Sequence, residues 1–229
     1  MPAPEQVLYA TTAMRALLRA EEALLRTLMP LRAGSYGLYL GMRDAAHVCS
    51  ESAAHWVRLR SEDGHWRGAL KARRDEALPF ADGAFSVVVI SQAQQFGDDA
   101  RDLLREAARV TAPGGTLALC GVHPCSAWTP WLAWCMRDAQ RGLRLHTPQR
   151  WVRDVAAQGF KVVERRRFGR VFPQGDAGGG VGSPHFGGGY VIVARKHPPA
   201  VTPLRFARLP GRVRGTAGSL APGAHRECA

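Results

Sequence analysis

Ser91 and Gln92 directly follow FSVVVI, a run apolar and β-branched enough to be a strand buried on both faces. Open parallel sheets bind ligands outside the carboxyl ends of their strands, so these two polar side chains stand where binding chemistry is expected. Capping of a strand end is the alternative role. His123 and Pro124 follow the next apolar run, TLALCG, at the same edge. There an imidazole could act as a general base or orient a substrate, although no acidic partner for it can be located from sequence. Cys120 and Cys125 would be reactive only in an electropositive setting, and burial is the commoner fate of such thiols. Trp128, Trp131 and Trp134, spaced by three, either line a pocket or form a packed helical stripe. In ERRRFGR, Glu164 to Arg170, four arginines flank Phe168 and could contact RNA phosphates and bases; a solvated face is the plainer role.

The elements that must position these residues alternate along the chain, the pattern of a layered α/β fold with a largely parallel sheet. Residues 11 to 29 read as an amphipathic helix, with Met14, Leu17, Leu18, Leu24, Leu25 and Leu28 at helical spacing. GLYLG (37 to 41), His55 to Arg60 and FSVVVI (85 to 90) read as strands, and ARDLLREAARV (100 to 110) as a helix packed on the sheet. Pro113, Gly114 and Gly115 stop that helix and turn the chain into TLALCG. A helix at 148 to 158 and the strands FKVVERR and GYVIVARK follow, the last two forming an antiparallel pair at one edge. Between them lies GDAGGGVGSPHFGGG, with eight glycines in 15 positions, expected to be a mobile loop. No Gly-Lys-Ser or Gly-Lys-Thr follows it, so it is not a phosphate loop.

Composition bounds what such a chain can be. Its 229 residues suit one domain with an extension, and 46% apolar against 22% charged residues exclude a wholly unfolded chain. The net charge is +12 and the pI about 10.5. Seven Lys or Arg against one Glu after Ala194 place +6 of that charge in a Pro- and Gly-rich tail. The expected division is a domain over 1–196 and a disordered basic tail over 197–229 that could hold an acidic or nucleic-acid partner. Leu117 to Met136, the longest nearly uncharged apolar stretch, is broken by Gly121, His123, Pro124 and Pro130, so no membrane span is expected. The N-terminus lacks a signal-peptide pattern. Five scattered cysteines without a Cys-x-x-Cys pair fit a reducing, cytoplasmic compartment and give no metal site.

From Gly34 to Lys196 the chain resembles the class I S-adenosylmethionine-dependent methyltransferases, and in particular their type 11 subgroup. The strongest part runs from Ala77 to Gly121: Leu78, Pro79 and Phe80 before a strand, LLREAARV (103 to 110) after it, then Pro113, Gly114 and Gly115. More narrowly, GSYGLYLGM, GVHPCSAW and the basic tail are similar to a small bacterial subfamily of methyltransferase-like proteins. The resemblance implies a three-layer Rossmann-like sheet, mostly parallel with an antiparallel edge pair. It also implies S-adenosylmethionine as cofactor and methyl transfer to an acceptor.

The cofactor residues it implies are Tyr39, Gly41 and Met42 after the first strand, Arg60 at the end of the second, Asp75 before Leu78, and Ser91 with Gln92. No catalytic residue is implied. This chain departs from the family's pattern at several of these places. Tyr39 stands where an acid is usual, Arg43 and Ala45 stand where glycines are usual, and Arg60 with Ser61 replaces the ribose-binding acid, leaving Glu62 or Asp63 as substitutes. Arg74 falls where the adenine-binding Asp is counted, one residue before Asp75. This degenerate loop motivates the alternative function, a non-catalytic scaffold of the same fold that binds its partner through the basic tail.

Overall fold

The structure is a computed structural model and describes residues 4–29, 36–42, 55–95, 100–137, 143–173 and 186–198. Two N-terminal helices, α1 (Pro4–Ala10) and α2 (Thr12–Leu28), precede β1 (Tyr36–Gly41), β2 (His55–Glu62), β3 (His65–Gly68), β4 (Ala72–Arg73) and β5 (Phe85–Ser91). A 3₁₀ turn (Ala93–Gln95) leads to α3 (Ala100–Val110), β6 (Thr111–Val122), α4 (Trp128–Cys135), α5 (Pro148–Ala157), β7 (Phe160–Phe168) and β8 (Gly189–Lys196).

The strands form one sheet in the order β4-β3-β2-β1-β5-β6-β8-β7. Its centre, β2-β1-β5-β6, is parallel, and both edges are antiparallel. This is the expected α/β class, with β7 and β8 as the expected edge pair. The centre is buried as its composition requires: Leu38, Leu40, Val88, Val89 and Ile90 have no exposed surface. Helix α3 lies against β5 and β6, and α2 and α5 lie against β7 and β8.

The second antiparallel edge was not read from sequence, although its signal is local. Asp63 and Gly64, with φ of 49° and 78°, are the two central residues of a tight hairpin whose flanking pair is Glu62 and His65. Asp-Gly favours such turns because both positions need the left-handed region. Asp63 thus occupies the first central position of the turn. Strand β6 also starts earlier than expected, at Thr111 rather than after the Pro-Gly-Gly, because Thr111 already pairs with Phe85 and the register slips between Phe85 and Val87.

The two strongest sequence motifs meet through Arg109 of α3. Its guanidinium donates to the carbonyls of Phe80 (2.8 Å) and Leu78 (3.0 Å), to Asp82 (2.6 Å) and to Glu106 (2.6 and 3.0 Å). Glu106 in turn accepts from the Leu78 backbone N–H at 2.6 Å. The Leu-Pro-Phe segment is thus strapped to α3, which fixes where β5 begins and hence where Ser91 ends.

Candidate functional site

Gly41, the last residue of β1, pairs with Arg60 on β2 and forms a backbone bridge with Gln92 beyond β5. From β1 the chain first builds β2 on one side and later returns to place β5 on the other. That reversal opens a crevice at the carboxyl ends, the place where open α/β sheets bind ligands. The fold therefore brings Gly41, Arg60, Ser91 and Gln92 together, with Tyr39 and Met42 buried beside them.

Gly41 is closely covered: a Cβ there would collide with the Tyr39 ring, whose hydroxyl lies 2.6 Å from that position. Only glycine leaves room for the ring to lie over the strand end. Arg43, Asp44 and Ala45, the rest of the expected cofactor loop, lie outside the described residues.

On the β2 side, Arg60 donates to Glu62 at 3.1 and 3.3 Å, and Glu62 also faces Arg67 at 3.5 Å. Both residues are thus engaged with each other and with β3. Ser61, next to Arg60, is buried and accepts from Arg74 Nη1 at 2.7 Å. Arg74 Nη2 donates to the Ala93 carbonyl at 3.1 Å, and its guanidinium stacks over Trp66 at 5.1 Å. Ser61 and Ala93 flank β1 from opposite sides, so the Arg74 side chain lies across the mouth of the crevice. Asp75 is exposed and bonded to Arg73 at 2.6 and 2.9 Å; those bonds do not reach the strand ends, and Arg73 holds its carboxyl below the usual range.

On the β5 side lies a residue that sequence reasoning missed. Glu21 of α2 is only 3% exposed, and its carboxylate accepts from Ser91 Oγ at 2.5 Å and Gln92 Nε2 at 2.6 Å. The Cys120 thiol is a third hydrogen-bond partner. Burial pushes the Glu21 carboxyl from 4.5 up to about 7 and raises the thiol of Cys120 as well. Gln92 is itself unusual, with φ of 59°, a conformation that costs a non-glycine residue about 1 kcal/mol. Its N–H bonds the Cys120 carbonyl at 3.0 Å, and its side-chain carbonyl accepts from Gln95. The signal for Glu21 was its register: the buried stripe Met14, Leu17, Glu21, Leu25 runs straight through it. Leu17 meets Gly169 just past β7, so α2 runs across the strand ends from β7 toward β5.

The other candidates divide differently. His123 Nδ1 accepts from the Cys125 N–H at 3.1 Å, which leaves a proton on Nε2 and no basic nitrogen free on the neutral ring. Burial and Arg167 lower its pKa. Trp128 is core, donating to the Arg170 carbonyl at 2.9 Å; Trp131 packs edge-on against it, and Trp134 is exposed with Arg137 over its ring. Arg165 and Arg166 are exposed on the edge strand β7, with Arg166 bonded to Glu164 at 2.8 Å, while Arg167 donates to the Gly187 carbonyl. Most of the glycine-rich loop, 174–185, and the tail from 199 onward lie outside the described residues. Among the described residues no helix is long and apolar enough to cross a membrane.

Comparison with known proteins agrees with this fold. Residues 33–119 match the type 11 family described as "Methyltransferase domain". A demethylmenaquinone methyltransferase of Mycobacterium marinum is 47% identical over 58 residues, which is 25% of this chain and 25% of that protein. Among solved structures, a SAM-dependent methyltransferase of Thermotoga maritima superposes with a TM-score of 0.58 at 16% identity, covering 84% of this chain and 95% of that one. One from Archaeoglobus fulgidus gives 0.55 at 13% identity, covering 77% and 93%. The [4+2]-cyclase SpnF gives 0.53 at 16% identity, covering 78% and 81%.

Proposed function

We propose, from a class I S-adenosylmethionine-dependent methyltransferase fold with a type 11 domain over residues 33–119, that this chain binds S-adenosylmethionine and transfers its methyl group to an acceptor. The observation that carries this reading is the convergence of Gly41, Arg60, Ser91 and Gln92 at the reversal of strand order. A likeness in fold to both methyltransferases and a cyclase leaves the reaction to the site itself, so ligand binding is the deciding property.

The residues fit the cationic half of the cofactor. The Gly41 strand end is a backbone cradle roofed by the Tyr39 ring and hydroxyl, and a buried carboxylate stands beside it through Gln92. When bound, the cofactor supplies an electrophilic methyl group on a sulfonium whose departure as a thioether needs no acid. What remains for the protein is positioning and the exclusion of water. Tyr39 and Gln92 would hold the methionine portion, and Ser61 with Arg74 would border the nucleoside. Arg74 must swing away from Ala93 or Ser61 to admit an adenosine, which its long side chain permits.

Isothermal titration of the full chain with S-adenosylmethionine and S-adenosylhomocysteine tests this directly. Saturable binding of both is expected. Absence of heat and of any thermal shift at millimolar ligand overturns the proposal and leaves the scaffold alternative. Arg74→Ala should bind S-adenosylmethionine several-fold more tightly, since no internal bonds are then broken on entry. Weaker binding would instead make Arg74 a ligand contact.

A further inference from the structure

Glu21 is the buried carboxylate that stands behind Gln92 at the strand reversal. It sits in an apolar helical stripe between Leu17 and Leu25, where a hydrophobic residue would pack at no electrostatic cost. Both of its oxygens are held, by Ser91 and Gln92. The groups acting most strongly on its charge are Ser91 and Gln92 of the β5 end, Cys120 of β6 and its own neighbour Glu22, and none is cationic. A carboxyl so placed is easily protonated, and burial indeed pushes it up to about 7.

Its location gives this a use. Gln92 carries three features at once: it holds Glu21 through its side chain, bridges Gly41 through its backbone and adopts a strained φ of 59°. The carboxylate is therefore one side chain removed from the crevice at the strand reversal, and strain retained at such a point is a mark of a binding site. A cation at the strand reversal, beside the Tyr39 ring, would supply a counter-charge that none of the described groups acting most strongly on Glu21 supplies.

We infer that Glu21 is a charge-recognition residue that makes the crevice favour a sulfonium over the neutral thioether left after methyl transfer, ionising as the cation binds. This rests on the methyltransferase reading above. It adds to that reading a way for the site to release its own product: when the sulfonium becomes a thioether, the carboxylate loses its partner and takes up a proton from solvent.

The test is calorimetric titration of the full chain with S-adenosylmethionine and with S-adenosylhomocysteine, at pH 6 and pH 8, in two buffers of different ionisation heat. At pH 6 the sulfonium ligand should release about one proton more than the thioether, and at pH 8 almost none. At pH 8 the wild type should favour the sulfonium ligand by about tenfold, and Glu21→Gln should bind both alike without the proton signature. A Gln can keep both hydrogen bonds, accepting from Gln92 and donating to Ser91, so a cooperative thermal melt is expected of the variant. The wild-type proton count needs no variant at all. Equal proton release by the two ligands, or a Glu21→Gln variant that keeps the preference, overturns the inference while leaving cofactor binding intact. If neither ligand binds the wild type, the methyltransferase reading fails first and this inference with it.

Discussion

Glu106 on α3 and Glu21 on α2 both reach from a helix to the segments that frame β5, yet their surroundings push them in opposite directions. Glu106 is clamped by Arg109 and accepts from the Leu78 N–H, and the arginine holds its carboxyl below the usual range. Glu21 has two neutral donors and a thiol, and burial raises it to about 7. The first carboxylate is a structural strap whose charge is settled by its partner. The second is poised near neutrality beside the strand ends where cofactor binding is proposed, and shifted groups gather in binding sites. The contrast separates a carboxylate fixed by a cation from one left to neutral donors.

The largest effect expected from this contrast is in pH dependence. The folded Glu21 keeps its proton up to about pH 7, whereas the unfolded chain loses it near 4.5. Stability from this group is therefore full below pH 4.5, declines between those values and is flat above, a loss of about 3 kcal/mol. Urea unfolding across pH 4 to 8 should show that slope in the wild type, and Glu21→Gln should flatten it and be the more stable protein at pH 8. A wild-type profile without the decline would break the comparison.

The next effect sharpens the other side. Arg109→Ala removes the donor to two backbone carbonyls and leaves Glu106 without its cation. Since the pair is partly exposed, the expected loss is about 2 kcal/mol in chemical denaturation, with β5 and its Ser91 end loosened. Hydrogen exchange should report faster opening of the Leu78 and Gly83 amides, which are held by Glu106 and by the Arg109 carbonyl. Unchanged protection there would mean the strap is ornamental.

The smallest effect lies on the acid limb. Because Glu106 is depressed in the folded state, its contribution is complete above pH 4.5 and disappears as pH falls through its lower folded value. Glu106→Gln should remove this dependence at a cost of at most about 1 kcal/mol. The sign is opposite to that of Glu21, so the two variants together should reshape both limbs of the stability profile.

Much of the frame was legible because it is written in local pattern. FSVVVI and GYVIVARK are continuous apolar runs with little choice but to be buried strands, and α3 is an amphipathic helix whose limits agree with expectation. The motif around Leu78, Pro79 and Phe80 was also visible, but its reason was not: Arg109 and Glu106 of α3 tie the helix to that loop. Asp63–Gly64 carries a local hairpin signal, and Asp63, expected with Glu62 as a substitute for the ribose-binding acid, stands in that turn. Gly41, Arg60, Ser91 and Gln92 were expected at the strand ends, and the fold places them there, while Asp75 is bonded to Arg73.

By itself the sequence determined the alternation of helices and strands, the buried centre of the sheet and the motif that marks its type, since these depend on periodicity and on neighbours a few residues apart. Only the tertiary structure decided that Glu21 meets Ser91 and Gln92 across 70 and 71 residues, and that Arg74 spans from Ser61 to Ala93. The reason is physical: a side chain's charge state and partners are set by the dielectric and the donors around it, and folding gathers those from elements far apart in the chain.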